Sequence, residues 1–172
     1  MLLEVVTESG KIVITNGAYL AILGAALAAI MAGIGSAIGV GKAGQAAAAI
    51  SAENPDLFSK LLVLQLLPGT QGIYGFLIAI MVFSKINLFG GMAGVDVTIE
   101  KGLQLLVGCL PIAITGLLSA IAQAKVAISG MNMTAKHPES SGQAITMTVM
   151  VETYAILGLL VSLLAVFVGV QL

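Results

Sequence analysis

Charge is what this chain has least of. Only 9% of its 172 residues are Asp, Glu, Lys or Arg, against about 25% in a water-soluble domain. That scarcity excludes an ordinary soluble domain and leaves no stretch for a soluble catalytic one. The seven basic residues form no cluster and the net charge is −1, so nucleic acid is not expected as a partner. A single cysteine, Cys109, excludes a disulfide framework within one chain; set in an apolar run, it reads as a small core filler. The single histidine, His137, lies in a polar loop and reads as solvated. Tryptophan is absent and aromatics are 5%, which argues against an aromatic-lined pocket. Residues Met1 to Lys11 lack a basic stretch ahead of an apolar one. No cleavable signal peptide is expected there, and the first membrane helix is expected to direct targeting.

What is present is hydrophobic: 59% of the residues, with a mean hydropathy of +1.10. The apolar runs are long and do not alternate, so helices and not a barrel are expected. Four spans stand out: Gly17 to Gly41, continuing as helix through Ala49; Leu61 to Phe83; Leu103 to Ala122, continuing past Lys125; and Ile145 to Val170. Each reaches the roughly 20 residues needed to cross a bilayer. The expectation is an all-α, multi-pass protein of the cell membrane. An even number of crossings puts both termini on one side. Lys42, Lys60, Lys125 and Lys136 fall on the first and third loops, Lys11, Lys85 and Lys101 on the other side. This four-to-three bias favours the first and third loops as the cytoplasmic ones.

The chain repeats itself at an offset of 83 residues. Ser36-Ala37-Ile38 recurs as Ser119-Ala120-Ile121, and the same offset pairs Gly33 with Gly116, Lys42 with Lys125, Pro55 with Pro138 and Thr70 with Thr153. The expected organisation is a leader (1–13), a first helical hairpin (14–90) and a second hairpin (91–172). A repeat of two helices keeps its orientation, which excludes an inverted-repeat transporter. The halves differ where it matters: Glu152 pairs with Gly69, and Gln123 with Val40.

Glu152 is alone in the fourth span, with apolar residues for several turns on both sides. A carboxylate there costs about 2.5–3.5 kcal/mol on insertion scales. Such a group is retained where it faces protein and binds something, and the default reading is an ion or proton site. The second span carries Leu67-Pro68-Gly69-Thr70-Gln71-Gly72-Ile73-Tyr74. Pro68 has no amide proton and crowds the carbonyl of Leu64, so a carbonyl in this turn is free to accept a cation. Leu67, Thr70, Gln71 and Tyr74 lie near one face at helical spacing. Gln123 comes from the third span. Singly, each polar group reads as interhelical glue, and Pro68 as a kink; together with one glutamate they form an all-oxygen set. Hard cations choose that chemistry, and transition metals do not. One carboxylate balances one monovalent charge, which favours Na⁺ or H⁺ over Ca²⁺ or Mg²⁺. No organic cofactor is expected. The glycines from Gly33 to Gly41 lie inside a span with no strand before them, so they are not a nucleotide loop. Gly35 and Gly39 have the spacing for close helix approach.

Three segments, residues 66–75 (Leu-Leu-Pro-Gly-Thr-Gln-Gly-Ile-Tyr-Gly), 121–125 (Ile-Ala-Gln-Ala-Lys) and 150–158 (Met-Val-Glu-Thr-Tyr-Ala-Ile-Leu-Gly), resemble the membrane rotor-ring subunit, or proteolipid, of V-type ATPases. The bacterial sodium-transporting type is the nearest match. The resemblance covers essentially the whole chain. It implies a Na⁺ site made by the Glu152 carboxylate, the Thr70 hydroxyl, the Gln71 and Gln123 side-chain oxygens and the Leu67 carbonyl, with Tyr74 hydrogen-bonded to Glu152. It also implies identical subunits in a homo-oligomeric ring, a static membrane subunit with two half-channels, a central stalk on the cytoplasmic loops, and surrounding lipid. The chain would hydrolyse no ATP itself. The alternative coupling ion is H⁺. A small drug/proton antiporter would carry its glutamate in the first span with aromatics around it, and a passive pore would need an open ring centre.

Overall fold

The computed structural model describes residues 16–171. The expected leader, 1–13, lies outside them. Helix α1 runs Asn16–Glu53, α2 Phe58–Leu66, α3 Thr70–Lys85, α4 Ile99–Lys136 and α5 Ser141–Phe167. Single 3-10 turns at Pro55–Leu57, Leu67–Gly69 and Pro138–Ser140 lie against the helices that follow them. Among the described residues this makes four helices long and apolar enough to cross a membrane: Asn16–Glu53, Pro55–Lys85, Ile99–Lys136 and Pro138–Phe167. At about 1.5 Å per residue, the 38 residues of α1 and of α4 overreach the roughly 30 Å hydrocarbon layer. Both therefore project beyond it.

Several boundaries differ from the sequence expectation: the third span starts at Ile99, not Leu103, and the fourth at Pro138, not Ile145. The second span starts at Pro55, not Leu61, because proline at the first position opens a helical turn without loss of a bond. The fourth ends at Phe167, not Val170; Gly169 turns back, its amide donating to the Leu164 carbonyl. The second span is also not one uninterrupted α-helix, since Pro68 tightens it into 3-10 geometry.

Helices α1 and α4 form the centre, with α3 packed on α1 and α5 on α4. The buried face of α1 is almost wholly Ala and Gly at spacings of three and four: Ala18, Ala21, Ala25, Ala28, Ala32, Gly35, Gly39, Ala43 and Ala47. Small residues let backbones approach and gain dispersion contacts where water offers no drive. A Cβ on Gly35 would lie 2.7 Å from the Leu117 Cα, and one on Gly39 would lie 2.8 Å from the Pro68 Cβ. The expected close approach at these glycines is observed.

Along every span the core has the same layering. At one end lie Ala18, Ile78, Val82, Leu105, Cys109, Ile112 and Val166. At the other lie Ala43, Leu57, Leu61, Leu64, Ala127, Met131 and Ala144. Between these apolar clusters sits a band of buried polar groups: Ser36, Gln71, Ser119, Gln123, Thr148 and Glu152. Lysines tie the hairpins together at both ends. Lys60 Nζ donates to the Pro138 carbonyl at 2.9 Å, and Lys85 Nζ to the Phe167 carbonyl at 3.1 Å. The glycine-rich loop between α3 and α4 turns with positive φ at Asn87, Gly91, Met92 and Gly94. His137 is exposed and pairs with Glu139 at 3.4 Å, and Cys109 is buried.

Candidate functional site

The six expected site residues come from three of the four spans. The turn at Pro68 supplies the first piece. Thr70 Oγ1 donates to the Leu67 carbonyl at 3.1 Å and lies 3.4 Å from Gln71 Oε1. Three oxygens, one each of carbonyl, hydroxyl and amide, thus sit together at one break in the helix.

The second piece is a pair of amides, both fully buried. Gln71 Nε2 donates to Gln123 Oε1 at 2.5 Å, and Gln123 Nε2 donates to the Thr148 carbonyl at 3.1 Å. A carbonyl can only accept, so Thr148 fixes which end of Gln123 faces α5, and Gln123 in turn fixes Gln71. The consequence is that Gln71 keeps its oxygen for the Leu67–Thr70 side. Gln123 Oε1 still has a second lone pair for another partner.

The third piece is the carboxylate. Glu152 sits near the middle of α5 and is 7% exposed. Tyr74 Oη donates to Glu152 Oε1 at 2.5 Å across 78 residues of sequence. Tyr74 lies one turn beyond Thr70 and Gln71 on α3. Glu152 lies one turn beyond Thr148 on α5. All six residues expected from the sequence therefore belong to one polar layer, linked by Tyr74–Glu152 on one side and Gln71–Gln123–Thr148 on the other. Chemically this is a buried, oxygen-rich set holding one acidic group. Among the described residues no three His, Cys, Asp or Glu side chains gather as a metal cluster.

The family of the C subunit of ATP synthase matches this chain twice, over residues 23–82 and 106–165. The two matches start 83 residues apart, the offset of the internal repeat. The chain belongs to this family of ATP synthase C subunits. It is similar to the K subunit of a V-type sodium ATPase from Enterococcus hirae, at 51% identity over 88% of this chain and 92% of the relative. It is 40% identical to the K subunit of an A-type ATP synthase from Methanocaldococcus jannaschii, over 86% of this chain and 61% of that longer relative. The 16 kDa proteolipid of a human V-type proton ATPase is 26% identical over 85% of this chain and 90% of the relative. The family membership and the four apolar spans make this chain a membrane proteolipid, a non-catalytic part of a rotary ATPase.

Two serines of the proteolipid belong to the band and carry no mark in the sequence pattern of the site. Ser119 Oγ donates to the Val151 carbonyl at 3.0 Å and accepts from Gln71 Nε2 at 3.4 Å. Ser36 Oγ accepts from the Gly72 amide at 2.8 Å. A signal was present, since these two serines anchor the internal repeat. A small hydroxyl in a membrane helix more often bonds its own preceding turn, as Thr148 does with the Ala144 carbonyl.

Proposed function

We propose that this proteolipid carries Na⁺ across the membrane as a rotor subunit, with the ion held by Glu152, Thr70, Gln71, Gln123 and the Leu67 carbonyl. Tyr74 holds the carboxylate in place. The observation that carries the reading is the buried oxygen set around a single acid. The Gln123–Thr148 bond turns the amides so that oxygen, not nitrogen, is offered beside Thr70 and Leu67. Proton transfer alone needs only a carboxyl group. A chain of oriented amides and a hydroxyl beside a helix break is what an alkali cation needs to replace its water. The similarity to a sodium ATPase subunit supports the same ion.

The mechanism follows from the cost of charge in lipid. A bare Glu152 carboxylate strongly disfavours an apolar setting. Bound Na⁺ neutralises it, and the neutral site can travel through lipid. Copies of this chain form a homo-oligomeric ring, whose outer helices present Leu66, Ile73, Phe76, Met150, Leu157 and Leu164 as exposed apolar surface. A static membrane subunit offers two half-channels and a cationic group. There Glu152 releases its ion and pairs transiently before reloading. The cytoplasmic loops at residues 54–57 and 137–140 engage a central stalk turned by a soluble ATP-hydrolysing head. Ring rotation thus couples ATP hydrolysis to Na⁺ movement.

Carbodiimide labelling of Glu152 in the purified ring tests this. The reagent modifies a protonated, accessible carboxyl. Na⁺ at millimolar levels or below is expected to protect Glu152. The sodium needed for half-protection should rise as pH falls, as H⁺ and Na⁺ compete for one group. Labelling that follows pH and ignores Na⁺ would make H⁺ the cargo and return Thr70, Gln71 and Gln123 to helix packing. That second reading has its own support in the similarity to a proton ATPase proteolipid.

A further inference from the structure

We propose that Ser119 is a positioning residue for the ion site, one that keeps the Gln71 amide turned with its oxygen toward the cation. The inference rests on the reading that Na⁺ binds among these side chains. Ser119 is buried on α4, one turn before Gln123. Its single hydroxyl proton is committed to the Val151 carbonyl at 3.0 Å. With that proton spent, Ser119 Oγ has only lone pairs left to offer its other neighbours. The Gln71 amide is 3.4 Å away, and only its NH₂ end can face those lone pairs. A flipped amide would set oxygen against oxygen at Ser119 and again at Gln123 Oε1, in a buried layer where such repulsion is poorly screened.

The two anchors are independent. Gln123 draws its orientation from the Thr148 carbonyl and Ser119 from the Val151 carbonyl, three residues later on the same helix. The helix that carries Glu152 therefore dictates, through two main-chain carbonyls, that α3 shows the ion an amide oxygen. Gln123 is itself part of the proposed ion site. Ser119 is not, because its acceptor capacity faces the Gln71 nitrogen and its donor faces α5.

The test uses purified rings titrated with radioactive sodium chloride, with carbodiimide labelling of Glu152 followed against pH in sodium-free buffer. Ser119→Ala removes one buried oxygen and adds no bulk. It is expected to weaken Na⁺ binding about three- to tenfold, the scale of one hydrogen bond. The sodium-free labelling profile of Glu152 should stay where it is, since the carboxylate and Tyr74 are untouched. In a Gln71→Ala background the same change should have no further effect, because no amide remains to be oriented. Unchanged binding in Ser119→Ala overturns the proposal. So does an equal loss in the Gln71→Ala background, which would make Ser119 a brace for α5 alone. If wild-type rings bind no Na⁺, the sodium reading falls and this inference falls with it. If they bind Na⁺ and the Ser119→Ala ring binds equally well, only the positioning role is lost.

Discussion

The two hairpins share one pattern, and they differ at the few positions that carry chemistry. At the 83-residue offset, Thr70 matches Thr153 and Leu67 matches Met150. The local geometry is kept: Thr70 Oγ1 donates to the carbonyl three residues back, and Thr153 Oγ1 does the same to Met150 at 2.8 Å. The surroundings are not kept. Gln71 is fully buried, whereas its counterpart Tyr154 is 67% exposed. Glu152, Gln123 and Tyr74 have as counterparts Gly69, Val40 and Leu157. The first hairpin gives the carbonyl, hydroxyl, amide and phenol; the second gives the acid and the other amide. Each chain thus holds one composite polar layer between its halves. The reciprocal position has the hydroxyl motif and no charge to neutralise.

Three sets of substitutions test this asymmetry, and a fourth tests the packing of α1. The largest effect is expected from Glu152→Gln, which removes the only acid among the described residues of the layer. Na⁺ binding should fall about 100-fold or more, on the scale of breaking a buried charge pair, and carbodiimide labelling should vanish. Placing an acid in the first hairpin as Gly69→Glu should restore labelling to the Glu152→Gln ring without Na⁺ protection, because Val40 and Leu157 supply no oxygen. Sodium protection there would show the halves to be interchangeable.

Gln123→Val copies the first hairpin into the second. It leaves one N–H of Gln71 Nε2 without its partner and removes one oxygen, so Na⁺ affinity should drop about ten- to 100-fold at constant ring yield. Direct binding to purified rings measures it. An unchanged affinity would remove Gln123 from the site.

The glycine contacts offer a contrast within α1. Gly35→Ala drives a methyl into the Leu117 backbone, whereas Gly33 has nothing within 4 Å of an added Cβ. Gly35→Ala should destabilise the chain by about 1–3 kcal/mol, read as a lower midpoint in thermal unfolding of detergent-solubilised rings. Gly33→Ala should be silent in the same assay. Equal effects would deny the close α1–α4 approach.

The smallest difference separates the two threonines. Thr70→Ala should weaken Na⁺ binding about three- to tenfold, and the exposed Thr153→Ala should leave it within about twofold. Equal losses would place the two hydroxyls in equivalent roles and undo the asymmetry.

How much is legible in the residues alone depends on the range of each interaction. Helix existence follows from apolar runs, because a backbone in lipid has no other partner for its polar groups. Glu152 stands out because desolvation makes any lone charge in such a run conspicuous. The break at Pro68 is readable, since a missing amide proton is a local fact. The helix ends are less so: Gly169 ends α5 early through a turn that apolar content does not reveal. Ser119 and Ser36 go unread because nothing local separates a serine that bonds its own helix from one that reaches across. Ser129 does the former, donating to the Lys125 carbonyl four residues back.

Composition and pattern were enough to specify a membrane protein of two parallel helical hairpins, one buried acid and an oxygen inventory suited to a small hard cation. Those properties are sums over residues, or periodicities along one stretch of chain, and need no knowledge of what touches what. Packing between helices was needed to show that Tyr74 reaches Glu152 and that Gln71 reaches Gln123, contacts spanning 78 and 52 residues. It was needed again to show which end of each amide faces inward. That choice is made by the carbonyls of Thr148 and Val151, which can only accept, and a carbonyl's neighbour on another helix is not written in the residue that carries it.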